Sequence, residues 1–166
     1  MIQNKPVRIL AVAPLSRGLG YVVMEGPTRL VACGNKAILR NKNAGSLAWV
    51  EKFIKFYQPD VLVLSDVTAA DTRRAARIKT LHRKIVAWAG KQQLKVRLIS
   101  VTQVRGKLLG DAKGTKFAVA QTLAEKFPVE LASRLPPKRR PWMSEDPRMD
   151  IFDAVGLAVA FWPKGK

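Results

Sequence analysis

The sequence is short of acidic residues, cysteine and histidine. It has 12 Asp and Glu residues among 166, and its single cysteine, Cys33, excludes an intrachain disulfide. One cysteine and one histidine, His82, also cannot build a zinc site. No apolar run is long enough to span a membrane, and the N-terminus lacks the apolar core and cleavage site of a signal peptide. We therefore expect a cytoplasmic protein, with a packed core because 48% of its residues are hydrophobic.

The scarcity of acids leaves a large excess of positive charge. The 30 Lys and Arg residues exceed the 12 acidic residues by 18, which gives a formal net charge of +18. A soluble domain with this charge attracts polyanions, and nucleic acid is the usual partner. Charge alone does not exclude two other roles: a structural role of the kind that ribosomal proteins have, or binding to an anionic membrane surface.

The pattern of apolar residues predicts an α/β fold. Short apolar runs bounded by turn residues predict strands at 8–13, 21–25, 29–33, 61–64 and 95–100. Apolar residues at three- and four-residue spacing predict helices at 44–57, 69–89, 117–127 and 150–162. Three antiparallel strands, followed by strands that alternate with helices, predict a mixed five-stranded sheet flanked by helices. We expect one domain over residues 1–166, with a basic, proline-rich loop at 134–148.

Four runs, taken in their order and spacing, are similar to those of a known family. They are residues 9–21 (ILAVAPLSRGLGY), residues 57–65 (YQPDVLVLS), the basic positions Arg105 and Lys116 around a turn at Gly110, and residues 150–154 (DIFDA). Over nearly its whole length the chain resembles the RuvC family of Holliday-junction resolvases, within the ribonuclease-H-like superfamily. The resemblance implies a ribonuclease-H-like sheet and a cluster of acids that holds two divalent ions for phosphodiester hydrolysis.

Half of the acids that the resemblance implies are missing. Ala13 stands where the family has an Asp on the first strand, and Ser65 stands where it has a Glu at the end of a later strand. Asp150 and Asp153 match the closing pair of acids, and their spacing of three places them on one face of a helix. The same pair also suits the N-terminal dipole of a helix. We therefore expect at most a weak metal site at Asp150 and Asp153, and no cofactor. If nuclease activity remains, the expected cofactor is Mg²⁺ or Mn²⁺.

Three functions follow from these observations and stay open. The first is a pseudo-nuclease that binds branched DNA (a Holliday junction) or duplex DNA without cutting it, mainly through phosphate contacts. The expected phosphate-binding residues are basic and spread along the chain: Arg17, Arg73, Arg74, Arg77, Arg105, Lys107, Lys113, Lys116, Lys138, Arg139 and Arg140. The second function is a magnesium-dependent, junction-resolving endonuclease with a displaced site formed by Asp66, Asp111, Asp150 and Asp153. The third is a structural scaffold that contacts RNA in a nucleoprotein assembly.

The resemblance also implies a dimer, whose surface in the family uses the long helix after the second acid. In this chain the corresponding helix, 69–89, is rich in Arg and Lys. Like charges that face each other across a two-fold axis repel. We therefore expect a homodimer that needs DNA to hold its two copies together.

Overall fold

The computed structural model describes residues 5–67, 76–111 and 113–163. Its centre is a five-stranded sheet in the order β3-β2-β1-β4-β5. The strands are β1 (Arg8–Leu15), β2 (Gly18–Glu25), β3 (Leu30–Ala37), β4 (Val61–Ser65) and β5 (Lys95–Ile99). β2 is antiparallel to β1 and β3, whereas β4 is parallel to both β1 and β5. The predicted mixed sheet, with three antiparallel strands first, is confirmed.

Helices cover both faces of this sheet. Their bounds are α1 (Lys42–Tyr57), α2 (Ala76–Lys91), α3 (Val101–Leu109), α4 (Lys116–Lys126), α5 (Pro128–Leu131) and α6 (Met149–Phe161). One hydrophobic cluster joins α3, α4 and α6 to one face of the sheet, and a second joins α1 and α2 to the other. β1 and β4 are buried on both faces, which explains their continuous apolar runs.

The first hairpin is longer than the sequence pattern predicts. β1 continues through Pro14 to Leu15, and only Ser16 and Arg17 separate it from β2. Pairing of β1 with β4 ends at Val12, so Pro14 lies beyond the part of β1 that has a neighbour on both sides. Proline is tolerated there because it interrupts no ladder in the middle of the sheet.

Helix α3 was missed by the prediction from apolar spacing. It begins with a capping box, in which Ser100 accepts from the backbone N–H of Gln103 and the Gln103 side chain accepts from the backbone N–H of Ser100. The Ser-x-x-Gln pattern was the available signal, but the helix is only nine residues long and buries only Val104. Helix α4 ends at Lys126, close to the predicted end at 127, and the short helix α5, which the apolar pattern did not predict, begins at Pro128.

Gly20 brings α6 against the sheet. A Cβ atom at this position would lie 1.9 Å from the backbone oxygen of Asp150. No other residue type fits without moving the first turn of α6 away from β2. The glycine therefore fixes the place from which the side chains of Asp150 and Asp153 reach the end of the sheet.

The basic, proline-rich segment lies between α5 and α6. Ala132–Arg134 form one 3-10 turn, and residues 135–148 contain no helix or strand. Arg73 and Arg74 lie outside the described residues, as does the first part of the predicted helix 69–89. Within the described ranges, no helix is long and apolar enough to cross a membrane.

Candidate nucleic-acid interface

A cavity of about 170 Å³ opens where β1 and β4 end and α3, α4 and α6 meet. Five of the residues that the sequence singled out line it together: Ala13, Ser65, Arg105, Lys116 and Asp153. The rest of its wall is apolar and comes largely from α3, α4 and α6. We call this cavity and the charged residues at its mouth the cleft.

The two positions at which the family resemblance implies acids carry neutral side chains. Ala13 is 4% exposed and presents a methyl group to the cleft. The hydroxyl of Ser65 lies 3.0 Å from Nε2 of His82, and Nδ1 of that buried ring lies 2.9 Å from the backbone oxygen of Ile78. A carbonyl can only accept, so Nδ1 carries a proton, and in the neutral ring Nε2 accepts from the Ser65 hydroxyl. Neither position supplies a carboxylate to the cleft.

Three acids nevertheless meet at the mouth of the cleft. Oxygen atoms of Glu145, Asp150 and Asp153 all lie within 4.8 Å of one another. Asp150 and Asp153 come from the first turns of α6, as their spacing predicts, whereas Glu145 comes from the proline-rich loop. These three side chains form the acidic cluster.

Two basic side chains are inserted into the acidic cluster. Nη2 of Arg17 lies 2.7 Å from Oδ1 of Asp150 and 3.4 Å from Oε1 of Glu145. Nζ of Lys116 lies 2.7 Å from the same Glu145 oxygen and 2.9 Å from Oδ2 of Asp153. The three carboxylates are therefore already balanced in large part by two fixed cations, one from the β1–β2 turn and one from the start of α4.

Burial and ion pairing act in opposite directions on the pKa values of these groups. Burial raises the pKa of Asp153 to about 6, and the charge of Lys116 offsets only part of this effect. Burial likewise raises the pKa of Asp150, against the hydrogen bond and charge of Arg17. Burial also acts to raise the pKa of Glu145, but Lys116 and Arg17 outweigh it and hold that pKa below its usual value. Glu145 is thus held firmly as an anion between the two cations.

Basic residues of the loop extend the cleft along the surface. Lys138 and Arg139 line a second cavity of about 600 Å³, whose wall also includes Lys116 and Glu145. Both side chains are exposed, as are those of Lys113 and Arg140. Arg140 lies over the ring of Trp142, with 5.6 Å between its guanidinium carbon and the ring centre. A strip of positive charge therefore runs from the cleft onto the proline-rich loop.

Two of the expected phosphate-binding residues make hydrogen bonds within the fold, and their binding to phosphate stays a prediction. Arg77 donates to the side chain of Asn43 and to the backbone oxygen of Leu15, which ties α2 to α1 and to the end of β1. Lys107 donates to the backbone oxygens of Ala160 and Trp162 at the C-terminal end of α6. The Lys107 contacts satisfy carbonyls that the end of α6 leaves unpaired.

The structure does not bring together the displaced set of acids considered from the sequence. Asp111 accepts from the backbone N–H of Lys113 within its own turn. Neither Asp111 nor Asp66 belongs to an acidic cluster of the described residues, and Glu145 takes the third place beside Asp150 and Asp153. The only sequence signal for Glu145 was an acidic pair, Glu145 and Asp146, inside an otherwise cationic loop.

Comparison with known proteins identifies the fold through structure alone. No protein-family model and no curated protein sequence matches the chain. RuvC of Thermus thermophilus is similar in structure, with a TM-score of 0.67 and 16% identity over 93% of this chain and 92% of RuvC. That RuvC has also been solved in complex with a Holliday junction substrate, with the same degree of similarity.

Two further resolvases are similar to this chain in structure. The yeast mitochondrial Holliday junction resolvase Ydc2 matches with a TM-score of 0.60 and 11% identity, over 96% of this chain and 79% of Ydc2. Fowlpox virus resolvase, solved with Holliday junction DNA, matches with a TM-score of 0.58 and 16% identity, over 93% of this chain and 97% of the resolvase. The mixed sheet, the order of its strands and these similarities together establish that the chain has the RuvC-like form of the ribonuclease-H-like fold.

Proposed function

We propose that this protein binds branched or duplex DNA through the cleft and the basic loop and leaves the phosphodiester bonds intact. One observation carries the proposal. Arg17 and Lys116 stand between the acids at the place where the family resemblance implies metal ions. Such a cleft offers two fixed cations that can bind phosphate groups. Among the described residues, it lacks the free carboxylates needed to hold metal ions that would activate a water molecule.

The residues present do not fit a pair of divalent ions. Hydrolysis by two ions needs several oxygen ligands that hold the metals about 4 Å apart. Ala13 gives no ligand at all, and the Ser65 hydroxyl is bonded to His82. One oxygen of each carboxylate in the acidic cluster is also in contact with the guanidinium of Arg17 or the ammonium of Lys116, and these cations would repel a divalent ion.

The surrounding charge supports binding to phosphates. A net charge of +18 makes release of counterions from nucleic acid a large favourable contribution to affinity. Lys138 and Arg139 continue the positive surface from the cleft and are exposed. The structures of RuvC and fowlpox virus resolvase with Holliday junctions support branched DNA as the ligand class to test first.

Binding is tested by fluorescence anisotropy with a four-way junction, a duplex of matched length and a single-stranded RNA, each at two salt concentrations. We expect the junction or the duplex to bind more tightly than the RNA. Replacing both Lys138 and Arg139 with Ala should weaken binding and reduce the salt slope by about 2. The matched control replaces Arg83 and Lys84, an exposed pair on α2, and should change the slope less. Preference for RNA over both DNA forms would support a scaffold and overturn the proposal.

A metal-dependent nuclease is the second candidate, because the oxygens of Glu145, Asp150 and Asp153 lie within 4.8 Å of one another. The two functions are separated by incubating the junction with the protein and Mg²⁺ or Mn²⁺ under conditions of full binding. We expect the DNA to remain intact. Cleavage that disappears in Asp153→Ala, with binding retained, would establish the nuclease and refute the proposal.

A further inference from the structure

A row of aromatic rings leads from the core to the surface along α1. Phe53 is buried and stacks on Tyr21, with 4.2 Å between ring centres, and Trp49 stacks on Phe53 at 5.6 Å. At the outer end, Phe56 meets Tyr57 edge to face at 4.8 Å. Phe56 is 78% exposed, so this ring contributes little to the core.

Lysines surround these rings. The ammonium groups of Lys36 and Lys52 lie 4.3 and 4.9 Å from the ring centre of Trp49. Lys52 and Lys55 also line a cavity of about 480 Å³ with Trp49, Phe56 and neighbouring rings. The ion pairs among the described residues do not include any of these three lysines. We call Lys36, Trp49, Lys52, Lys55, Phe56 and Tyr57 the aromatic–lysine surface.

This surface is separate from the cleft. α1 packs in the hydrophobic cluster on one face of the sheet, and α6, which carries Asp150 and Asp153, packs in the cluster on the other. A ligand on the aromatic–lysine surface therefore does not compete with a phosphate at Lys116. The function proposed for the cleft also does not explain why Phe56 is exposed.

We propose that the aromatic–lysine surface binds unpaired bases of single-stranded nucleic acid. Every base has a π-face that can stack on an exposed ring such as Phe56, and lysines beside the ring can contact the phosphates on either side. The groove that these residues line is open to solvent, and its volume of about 480 Å³ gives a base room to lie against the rings. Association of two copies through this surface is disfavoured, because Lys52 and Lys55 of each copy would face each other across a two-fold axis.

The test uses a fluorescein-labelled oligothymidine of about 20 nucleotides, longer than one strand-binding site, and a blunt duplex of the same length. We expect Phe56→Ala to weaken binding of the single strand about fivefold or more, the effect of losing one stacked base. Binding of the blunt duplex, which reports on the cleft, should change less than twofold. Because Phe56 is largely exposed, we expect Phe56→Ala to fold normally. Its melting temperature, compared with that of the wild type, checks this.

Two control variants make the result specific. Val129→Ala removes another highly exposed apolar side chain, 89% exposed on α5, and should have no effect on either ligand. Trp142→Ala removes an exposed ring of the basic loop that could stack on bases instead. If Trp142→Ala abolishes single-strand binding while Phe56→Ala leaves it unchanged, the proposal is wrong.

Crosslinking gives a second, independent measurement. An oligonucleotide that contains 5-iodouracil crosslinks on irradiation to an aromatic side chain stacked on the base. We expect the crosslinked peptide to contain Trp49 or Phe56. A crosslink confined to the proline-rich loop would overturn the proposal. Light scattering tests the alternative that this surface joins two copies of the chain: a dimer in the wild type that is lost in Phe56→Ala would also overturn the proposal. Neither outcome affects binding of duplex or junction DNA at the cleft.

Discussion

The ammonium group of Lys116 lies 2.7 Å from a carboxylate oxygen of Glu145, a residue 29 positions further along the chain. The same oxygen lies 3.4 Å from Nη2 of Arg17. Like a phosphodiester group, a carboxylate has one negative charge shared by two oxygens, and both groups pair with Arg and Lys. In the free protein, Glu145 therefore stands in the place where we propose that a phosphate group of DNA binds.

Replacing this internal anion should increase affinity for DNA. In Glu145→Gln, Lys116 and Arg17 lose a competing negative charge, and we expect duplex DNA to bind about three- to tenfold more tightly, the effect of about 1 kcal/mol. Fluorescence anisotropy at low salt measures the change. Glu125→Gln, an exposed site on α4, alters net charge by the same amount and should have a smaller effect. Equal effects of the two variants would show that only net charge matters.

Removing Arg17 should destabilise the fold because it leaves the carboxylate of Asp150 unpaired. Asp150 is 2% exposed, and its closest cation is Arg17. We expect Arg17→Met to lower the free energy of unfolding by about 1–3 kcal/mol, a modest figure because the Arg17 side chain is 36% exposed. Urea unfolding measures the loss, and adding Asp150→Asn should recover part of it. Arg148→Met, which breaks the exposed pair with Asp146, should have little effect, and an equal loss in that variant would contradict this account.

The titration of Asp153 should make stability depend on pH between about 4 and 6. Its pKa is raised from 3.8 to about 6, so the folded state binds this proton more tightly than the unfolded state. The resulting stabilisation is present at low pH and is lost as the pH rises through this range, by about 2–3 kcal/mol. Unfolding free energies of the wild type and Asp153→Asn at several pH values give the difference. A difference that is constant from pH 4 to pH 7 would contradict the raised pKa.

Gly20 should tolerate no side chain. In Gly20→Ala the new Cβ would lie 1.9 Å from the backbone oxygen of Asp150, so α6 must move or β2 must bend. We expect a loss of at least about 2 kcal/mol in the free energy of unfolding, and weaker DNA binding because the acidic cluster and its cations are displaced. Gly90→Ala is the matched control, since its Cβ meets nothing within 4 Å in α2. That variant should gain about 0.5–1 kcal/mol from helix propensity. If the two variants are equally stable, the backbone around Gly20 accommodates the Cβ without loss of stability, and the prediction is wrong.

Local sequence patterns determined most of the fold of this protein. Buried strands such as β4 form continuous apolar runs, and helices such as α6 show apolar residues at helical spacing, because each element must bury one side or both. The spacing of Asp150 and Asp153 was likewise sufficient to place both acids on one helical face. That Ala13 and Ser65 stand where acids are expected was implied by the resemblance of residues 9–21 and 57–65 to the RuvC family, and strand prediction alone would not have shown it.

The tertiary structure alone decided how the remaining charges are paired. Arg17 and Asp150 are 133 positions apart. Lys116 begins α4, whereas Glu145 lies in an irregular loop, so no periodic sequence pattern connects the two residues. Sequence patterns report which face of an element is buried, but ion pairs between distant elements depend on how those elements pack. In this protein, packing of α6 onto Gly20 and the path of the proline-rich loop bring two cations into the acidic cluster. The sequence showed an excess of positive charge, and only the fold placed two of those charges among the acids.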